Sequence, residues 1–422
     1  MTQKNCNSDK NVKEFELDNG LKIILHKNSN IPMVCINTIY HVGAKNDSEG
    51  KKGMAHLFEH LMFEGSKNVP HGYFDEILTG NGGESNAYTS WDVTSYYIVL
   101  PSSSLELGLW LESDRMNGFL ITDEELEIQK DVITEEKMTI FDNAPYGTLE
   151  EESSKRLFSS SGYKDTIIGN MDHLRSVTLE EINEHFKKYY SPTNAVLSIG
   201  GDIEFDEAEA LIRKYYSDIK NTGNGEKPLY KEDPIKFSEV NIEDNIQLPG
   251  RFIFYRTPQM GSKDFYSLKI LSSLLTGGDS SILYKKLVVD NELVNEIDSY
   301  VHGMEDAGIF SINAIMLLDS DNEKTETIID ECIEEIKNGK ISDRDIEKIN
   351  NKIETQAELR KNNLISFTDR LGYYKTVYGS IDKVYSETDE FKKITPKDLK
   401  NAAIKYLDKD QRIILNYVSK TE

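Results

Sequence analysis

The spacing of apolar and polar residues predicts a strand-rich beginning of the chain. Residues 13–26 alternate around Asp18-Asn19-Gly20, which is typical of a hairpin turn. Runs rich in Val, Ile, Thr and Tyr predict further strands at 33–42, 85–90 and 93–100. Two short helices are predicted among these strands, at 53–65 and 73–78.

Helical periodicity dominates the rest of the first half, and the second half repeats these kinds of element in a coarse order. The first half continues with predicted helices at 103–118, 122–141, 176–189 and 208–216 and a buried strand at 194–200. The second half contains a predicted strand, helix, strand and two long helices, at 251–256, 267–275, 309–318, 323–337 and 342–362. This order predicts two similar α+β domains, each a sheet packed with helices, without a clear residue-level repeat.

A polar segment separates the two halves. Residues 220–249 are charged and contain two glycines and three prolines, a composition typical of a linker. A chain of 422 residues also suits two domains of about 200 residues better than one core. We therefore expect an N-terminal domain at 12–219, a linker at 220–245 and a C-terminal domain at 246–422.

Net charge, the length of apolar runs and cysteine usage indicate which binding partners and which cell compartment to expect. The net charge of −24 argues against nucleic acid or an anionic membrane as partner. No apolar run approaches eighteen residues, so no membrane span is predicted. Residues 1–12 are polar and resemble no signal peptide, and Cys6, Cys35 and Cys332 are scattered, as in proteins of reducing compartments. We expect a cytoplasmic location.

The clearest indication of a chemical function is the segment His56-Leu57-Phe58-Glu59-His60. Positions four apart in a helix lie on one face, so both imidazoles can reach one cation, with Glu59 beside them. Two nitrogen ligands and a proton-accepting carboxylate are typical of a hydrolytic zinc site, here in the inverted order His-x-x-Glu-His. The alternative is a pair of helix histidines that bind no metal.

The glycine-rich turn Gly80-Asn81-Gly82-Gly83 does not indicate a nucleotide. It lacks a following Gly-Lys-Ser/Thr and does not join a strand to a helix. Turn formation is the better interpretation of these glycines.

A third zinc ligand is predicted on the helix that begins near Thr122. Its stripe at helical spacing consists of Leu126, Gln129, Ile133, Glu136 and Ile140, whereas Glu135 falls outside the stripe. A carboxylate on a core-facing stripe is costly unless it binds a cation or forms an ion pair. The pattern therefore nominates Glu136, with an interior salt bridge as the alternative.

These motifs resemble the M16 metallopeptidases, which include pitrilysin, insulin-degrading enzyme and the mitochondrial processing peptidase. The similar segments are Gly53–His60, Asn86–Thr89 with Asp92 and Tyr96, Asp131–Glu136, Tyr190–Asn194 and Gly200–Asp202. In that family the third ligand is a glutamate about seventy-six residues past the second histidine. The interval from His60 to Glu136 is 136 − 60 = 76 residues, so the family spacing selects the same residue.

The resemblance implies a fold, a cofactor and partners. The fold is two similar α+β domains, each with an antiparallel sheet and packed helices, and the cofactor is one Zn²⁺ per chain. Short members pair with a second subunit to enclose a clam-like chamber. The resemblance further implies that substrate peptides add as a strand beside Asn86 and Ala87, by β-augmentation.

The chain departs from the family pattern at two places. A glutamate that often stands seven residues before the third ligand is replaced by Gln129, which can still orient a ligand by hydrogen bonding. Active assemblies also supply an Arg and a Tyr seven residues apart after a leucine. Aligned on Leu287, those positions hold Val288 and Asn295. We therefore expect a heterodimer whose homologous partner supplies both residues, with a homodimer as the alternative.

The sequence thus predicts a zinc-dependent endopeptidase that cleaves short or unfolded peptides. Its expected metal ligands are His56, His60 and Glu136, and its expected general base is Glu59. One alternative is a noncatalytic core subunit of a larger complex, although such relatives tend to lose the zinc ligands. Another is a small zinc-dependent lyase, which the length and the two-domain layout disfavour.

Overall fold

A computed structural model describes residues 11–160, 162–223, 225 and 230–420. Cys6 and part of the expected linker lie outside the described residues. The strands, in chain order, are β1 (Val12–Glu16), β2 (Lys22–Lys27), β3 (Met33–Tyr40), β4 (Glu84–Thr89), β5 (Thr94–Pro101), β6 (Ala195–Gly201), β7 (Ser238–Asp244), β8 (Gly250–Thr257), β9 (Val294–Gly303), β10 (Gly308–Met316) and β11 (Ile413–Ser419).

The α-helices of the second half of the chain are on average longer than those of the first half. The helices of both halves are α1 (Met54–Leu61), α2 (Tyr73–Gly80), α3 (Leu105–Asn117), α4 (Asp123–Lys137), α5 (Leu149–Leu157), α6 (Met171–Arg175), α7 (Leu179–Tyr189), α8 (Phe205–Tyr216), α9 (Lys263–Thr276), α10 (Asn322–Lys337), α11 (Asp343–Lys361), α12 (Leu364–Tyr378), α13 (Asp382–Lys392) and α14 (Pro396–Tyr406). No helix among the described residues is long and apolar enough to cross a membrane.

The described residues form two compact units, each built on one sheet. The described residues within 1–135, 167–229 and 358–385 form the first unit, and those within 136–166, 230–357 and 386–422 form the second. Each unit therefore includes a segment from the other half of the sequence. The division into contiguous domains at 220–245 stays a prediction.

The first sheet places the histidine helix against an edge strand. Its strand order is β1-β2-β6-β3-β5-β4, with antiparallel pairs except for the parallel pair β2–β6. Helix α12 packs on the central strands β6 and β3, while α1 contacts β4 at the edge. Among the described residues, strand β4 pairs with β5 alone in this sheet, so its other backbone edge is available for a further strand.

The second sheet has the order β7-β11-β8-β10-β9 and is antiparallel except for the pair β7–β11. Its core lies against α9, α10 and α14 and includes Leu271, Phe310, Ile333 and Leu399. Two largely antiparallel sheets with packed helices confirm the predicted α+β fold.

The hydrophobic pattern missed several elements. Strand β9 and helices α5, α6, α12, α13 and α14 are additional to the predicted elements, as is the last strand β11. Helix α12 shows why: it buries Phe367, Thr368, Leu371, Gly372 and Tyr374, which do not form a simple apolar stripe. Gly372 is needed there because an added Cβ would lie 2.9 Å from Ser198 Oγ and 3.0 Å from Asn37 Oδ1.

The beginning of α1 depends on a glycine and a buried carboxylate. Gly53 adopts φ +97°, and a Cβ there would lie 2.8 Å from the Ile168 carbonyl oxygen, so a side chain is excluded. The Asp47 carboxylate accepts hydrogen bonds from the backbone N–H groups of Gly53 (2.8 Å) and Ala55 (3.0 Å). It therefore occupies the positive end of the helix that carries the histidines.

Burial gives this carboxylate an unusual titration. Burial raises the pKa of Asp47 to about 7, and the backbone hydrogen bonds of Gly53 and Ala55 oppose the shift. An unfolded aspartate has a pKa of about 3.9. Because the folded pKa is the higher one, the stability gained by protonation is present below about pH 4 and is lost as the pH rises towards 7.

We predict that Asp47→Asn changes the pH dependence of stability. The variant keeps an oxygen acceptor but carries no charge, so its unfolding free energy should rise relative to wild type by up to about 1.4 kcal/mol per pH unit between pH 5 and 7. Denaturant unfolding at both pH values measures this difference. Asp206→Asn, at an exposed carboxylate, is the matched control, and parallel pH profiles for wild type and Asp47→Asn would contradict the prediction.

Candidate metal centre

Helix α1 presents three polar side chains on one face and buries the other. Its buried residues are Met54, Ala55, Leu57, Phe58 and Leu61, whereas His56, Glu59 and His60 remain partly exposed. The rings of His56 and His60 lie edge to face, with centroids 4.8 Å apart. Two imidazoles one helical turn apart therefore face the same space, as their spacing predicts.

Helix α4 brings the third predicted side chain to these histidines. One donor atom each from His56, His60 and Glu136 lies within 4.8 Å of the other two. Glu136 stands in the last turn of α4, which is continuous to Lys137.

A buried lysine fixes α4 upstream of Glu136. Lys130 Nζ donates to the carbonyl oxygen of Val177 at 2.7 Å and pairs with Glu127 at 2.6 Å. Only 4% of Lys130 is exposed, so the ammonium group depends on these partners to replace water. This contact anchors α4 to the segment that joins α6 and α7.

Hydrogen bonds select the histidine tautomers that suit metal binding. Gln129 Nε2 donates to Glu64 Oε1 at 2.5 Å, which leaves Gln129 Oε1 facing His60 Nδ1 at 3.3 Å. His56 Nδ1 lies 3.3 Å from Glu59 Oε2, which accepts when ionised. Both contacts favour a proton on Nδ1, so that Nε2 of each ring keeps its lone pair for a metal.

Strand β4 orients the carboxylate of Glu59. Thr89 Oγ1 donates to Glu59 Oε2 at 2.5 Å, and His56 approaches the same oxygen. These partners leave Oε1 of Glu59 as the oxygen available to accept a proton. Thr89 lies in a segment that resembles the M16 family, but the sequence alone did not assign it this contact.

An aromatic cluster supports α1 from its buried side. Phe58 packs against Tyr190, with ring centroids 4.2 Å apart, and Tyr190 and Tyr96 share a hydrogen bond of 2.9 Å between their hydroxyls. The Arg115 guanidinium lies 4.7 Å from the centre of the Tyr96 ring and pairs with buried Glu112. The motif residues Tyr96 and Tyr190 therefore hold the histidine helix in place.

The residues predicted to bind substrate lie on the edge strand. Asn86 is exposed and Ala87 is half-buried on β4, and the pairing partners of both residues are on β5. Asn86 Oδ1 accepts a hydrogen bond from the backbone N–H of Ala87 at 2.8 Å. Thr89 on the same strand contacts Glu59, so the edge of the sheet leads directly to the histidine helix.

The predicted core stripe of α4 is wrong in part. The buried residues are Leu126, Lys130 and Ile133, while Gln129 and Glu136 are only half-buried. Ile140 is 54% exposed, because the chain widens into a π-helical turn at 138–142 and the helical phase changes there. Glu136 therefore faces a partly open site instead of the interior.

The two positions expected to lack the Arg/Tyr pair lie in the second unit. Val288 is half-buried in a π-helical segment at 284–289, and Asn295 is exposed near the start of β9. Neither side chain has the charge or hydroxyl group of the residue expected there.

The three donors fit a zinc ion in their chemistry. Two imidazoles and one carboxylate form a common donor set for a catalytic zinc, which keeps a fourth position for water. Their proximity and the Nδ1 hydrogen bonds of both rings meet the requirements for ligation through Nε2.

Family models match both halves of the chain. The model described as insulinase (peptidase family M16) matches residues 22–170, and the one described as the peptidase M16 inactive domain matches residues 176–353. The first model covers the histidine helix, β4 and α4. The chain belongs to peptidase family M16.

Individual relatives agree with this assignment. The chain is 29% identical over 405 residues to zinc protease PqqE of Helicobacter pylori, covering 94% of this chain and 90% of that protein. The crystal structure of a protease from Helicobacter pylori is 26% identical with a TM-score of 0.88 and covers 96% of this chain and 99% of its own. The periplasmic protease PqqL of Escherichia coli, 20% identical with a TM-score of 0.81, shares the fold over 97% of this chain but only 48% of its own.

We predict that Gln129→Ala weakens zinc binding without unfolding α4. Loss of the acceptor for His60 Nδ1–H should lower zinc affinity by about 10- to 100-fold, because the ring orientation and tautomer are no longer fixed. Competition of the apoprotein with a chromophoric chelator measures the affinity. Glu135→Ala, at an exposed position of the same helix, is the control, and equal affinities for both variants would contradict the prediction.

Proposed function

We propose that the protein is a zinc-dependent endopeptidase whose metal ligands are His56, His60 and Glu136 and whose general base is Glu59. The convergence of the three donor atoms within 4.8 Å of one another is the observation that carries the proposal. The names of the relatives, which include zinc proteases, agree with it. The family assignment supports peptide hydrolysis as the reaction class.

The arrangement of Glu59 suits proton transfer. Zinc, when bound, supplies Lewis acidity that lowers the pKa of water towards 7 and favours negative charge on a peptide carbonyl oxygen. Glu59 accepts the proton of the attacking water and then delivers it to the leaving amine. Thr89 holds one oxygen of this carboxylate, so the other oxygen keeps a constant position during both transfers.

We propose that the substrate peptide extends the first sheet beside β4. Backbone hydrogen bonds along Asn86 and Ala87 would bind an extended peptide with little dependence on its sequence. Such binding favours short or unfolded chains, because a folded substrate cannot offer a free strand. Thr89 is the last residue of this strand and contacts Glu59 of α1, so the scissile bond would be placed at this end of the strand.

We further propose that the working enzyme is a heterodimer that encloses a clam-like chamber. Val288 and Asn295 replace the expected Arg and Tyr, so a homologous subunit would supply both residues. The fold comparison agrees with this arrangement, since this chain spans 48% of the PqqL chain that it resembles. A homodimer with altered activity is the alternative assembly.

A noncatalytic scaffold is the second candidate function. One observation favours it: the model that matches residues 176–353 is described as an inactive domain. That segment begins after Glu136 and contains none of the four proposed active-site residues. The observation therefore bears on the second half of the chain and leaves the first half available for catalysis.

We propose a reducing, cytoplasmic compartment for the chain. Cys35 and Cys332 are buried free thiols, and burial raises the pKa of both thiols, which keeps them protonated and unreactive. PqqL is described as periplasmic, so relatives of this fold also occur outside the cytoplasm.

We predict that Glu59→Gln keeps near-stoichiometric zinc but loses peptide cleavage. The amide cannot accept the proton from water, and loss of a general base costs about 100-fold or more in rate. Zinc content by elemental analysis and cleavage of a quenched fluorescent peptide measure both properties. Glu135→Gln should retain activity as the matched control, and full activity of Glu59→Gln would overturn the assignment of the base.

We predict that the isolated chain cleaves peptides weakly and that a homologous subunit raises the rate. The partner should be of similar length, carry the Arg/Tyr pair and lack the histidine pair. Light scattering gives the size of each chain alone and mixed, and the same fluorescent peptide gives the rate. Robust cleavage by the pure chain, with no gain on mixing, would contradict the heterodimer.

A further inference from the structure

We propose that Glu64, His71 and Glu125 form a second site for a divalent cation of the zinc type. Donor atoms from these three side chains lie within 4.8 Å of one another. All three belong to the first compact unit and none of them is a proposed ligand of the first site. The inference goes beyond the proposed peptidase function and does not depend on it.

The three side chains come from three separate parts of the fold. Glu64 follows the end of α1, His71 stands just before α2, and Glu125 lies in the first turn of α4. Glu125 is distant in sequence from Glu64 and His71, so the pattern of apolar and polar residues gave no sign of this cluster. Two carboxylates and an imidazole are nevertheless a donor set that zinc accepts.

In each carboxylate, one oxygen accepts hydrogen bonds from the protein and the other oxygen faces His71. Glu64 Oε1 accepts from Gln129, while Glu64 Oε2 lies 2.5 Å from His71 Nδ1. Glu125 Oε2 accepts from the backbone N–H and the hydroxyl of Thr122, while Glu125 Oε1 lies 3.6 Å from the same Nδ1. The engaged oxygens fix the direction of both carboxylates before any cation arrives.

The spacing of these donors suits zinc. Zinc bonds of about 2.0–2.2 Å in a tetrahedral site place neighbouring donor atoms about 3.3 Å apart. The two distances from His71 Nδ1, 2.5 and 3.6 Å, lie on either side of that value. The His71 side chain is 63% exposed, so its ring can move by the small amount that ligation requires.

The charge of the cluster also favours a dication. Among the described residues, Glu64 and Glu125 form ion pairs with His71 and with no lysine or arginine. A protonated His71 offsets one of the two negative charges, whereas a divalent cation with neutral His71 offsets both. Glu64 is largely buried, with 11% of its side chain exposed, so its charge is poorly screened by solvent.

Two hydrogen bonds connect Glu64 of the proposed site to His60 of the first centre. Glu64 is bonded to Gln129, and Gln129 in turn faces His60. The imidazole of His71 is exposed, and this residue stands before α2 and not within a helix. For both reasons we expect this site to bind zinc more weakly than the first. We expect it to fill at micromolar zinc, after the first site.

Zinc titration of the untagged, chelator-treated full-length chain tests the proposal. Equilibrium dialysis with elemental analysis should give one tightly bound zinc and a second in the micromolar range. His71→Ala and Glu125→Gln should each lower the affinity of the second zinc by at least about 10-fold. The side-chain amide of Glu125→Gln can still accept hydrogen bonds from Thr122. The matched control is His302→Ala, at an exposed histidine of the second unit.

The outcomes separate this inference from the proposed function. Loss of the second zinc in both variants, but not in His302→Ala, supports the site. A single zinc in the wild type at millimolar concentration, or a second zinc unaffected by His71→Ala and Glu125→Gln, overturns it. Absence of the tight zinc with a retained His71-dependent one would contradict the proposed peptidase centre and leave this site standing.

Discussion

The candidate centre depends on α1 presenting a polar face next to a fully packed apolar one. Phe58 is buried and packs against Tyr190, whose hydroxyl is hydrogen-bonded to Tyr96, and this packing prevents the short helix from turning. Asp47 and Gly53 fix the first turn, where backbone N–H groups would otherwise lack partners. Only with this helix held rigid do His56 and His60 face the same point as Glu136.

The polar contacts around this helix form a connected series. Thr89 holds Glu59, Gln129 orients His60, and Glu64 orients Gln129. Gln129 is where the chain departs from the family pattern, and the structure gives a physical reason why an amide works there. An amide can donate to Glu64 while it accepts from His60, whereas a glutamate would place two carboxylates in contact.

Local patterns predicted much of the fold and the nearest residues of the site. The i, i+4 spacing of His56 and His60 required only helical geometry, and the interval to Glu136 agreed with a family spacing. Contacts between distant segments were not predictable in this way. Thr89, Glu64 and Asp47 are ordinary polar residues in sequence, and only the packing of β4, α4 and the turn before α1 gives them their partners. The π-helical turn after Lys137, which exposes Ile140, likewise has no signal in the apolar pattern.

The central claim is that His56, His60 and Glu136 bind one metal ion. The most direct test is a crystal structure of the chain with one equivalent of zinc, recorded at the zinc absorption edge. We expect a single anomalous peak bonded to one nitrogen of each histidine and to an oxygen of Glu136. A strongest peak at any other position, or zinc bound to the histidines with Glu136 turned away, would contradict the account.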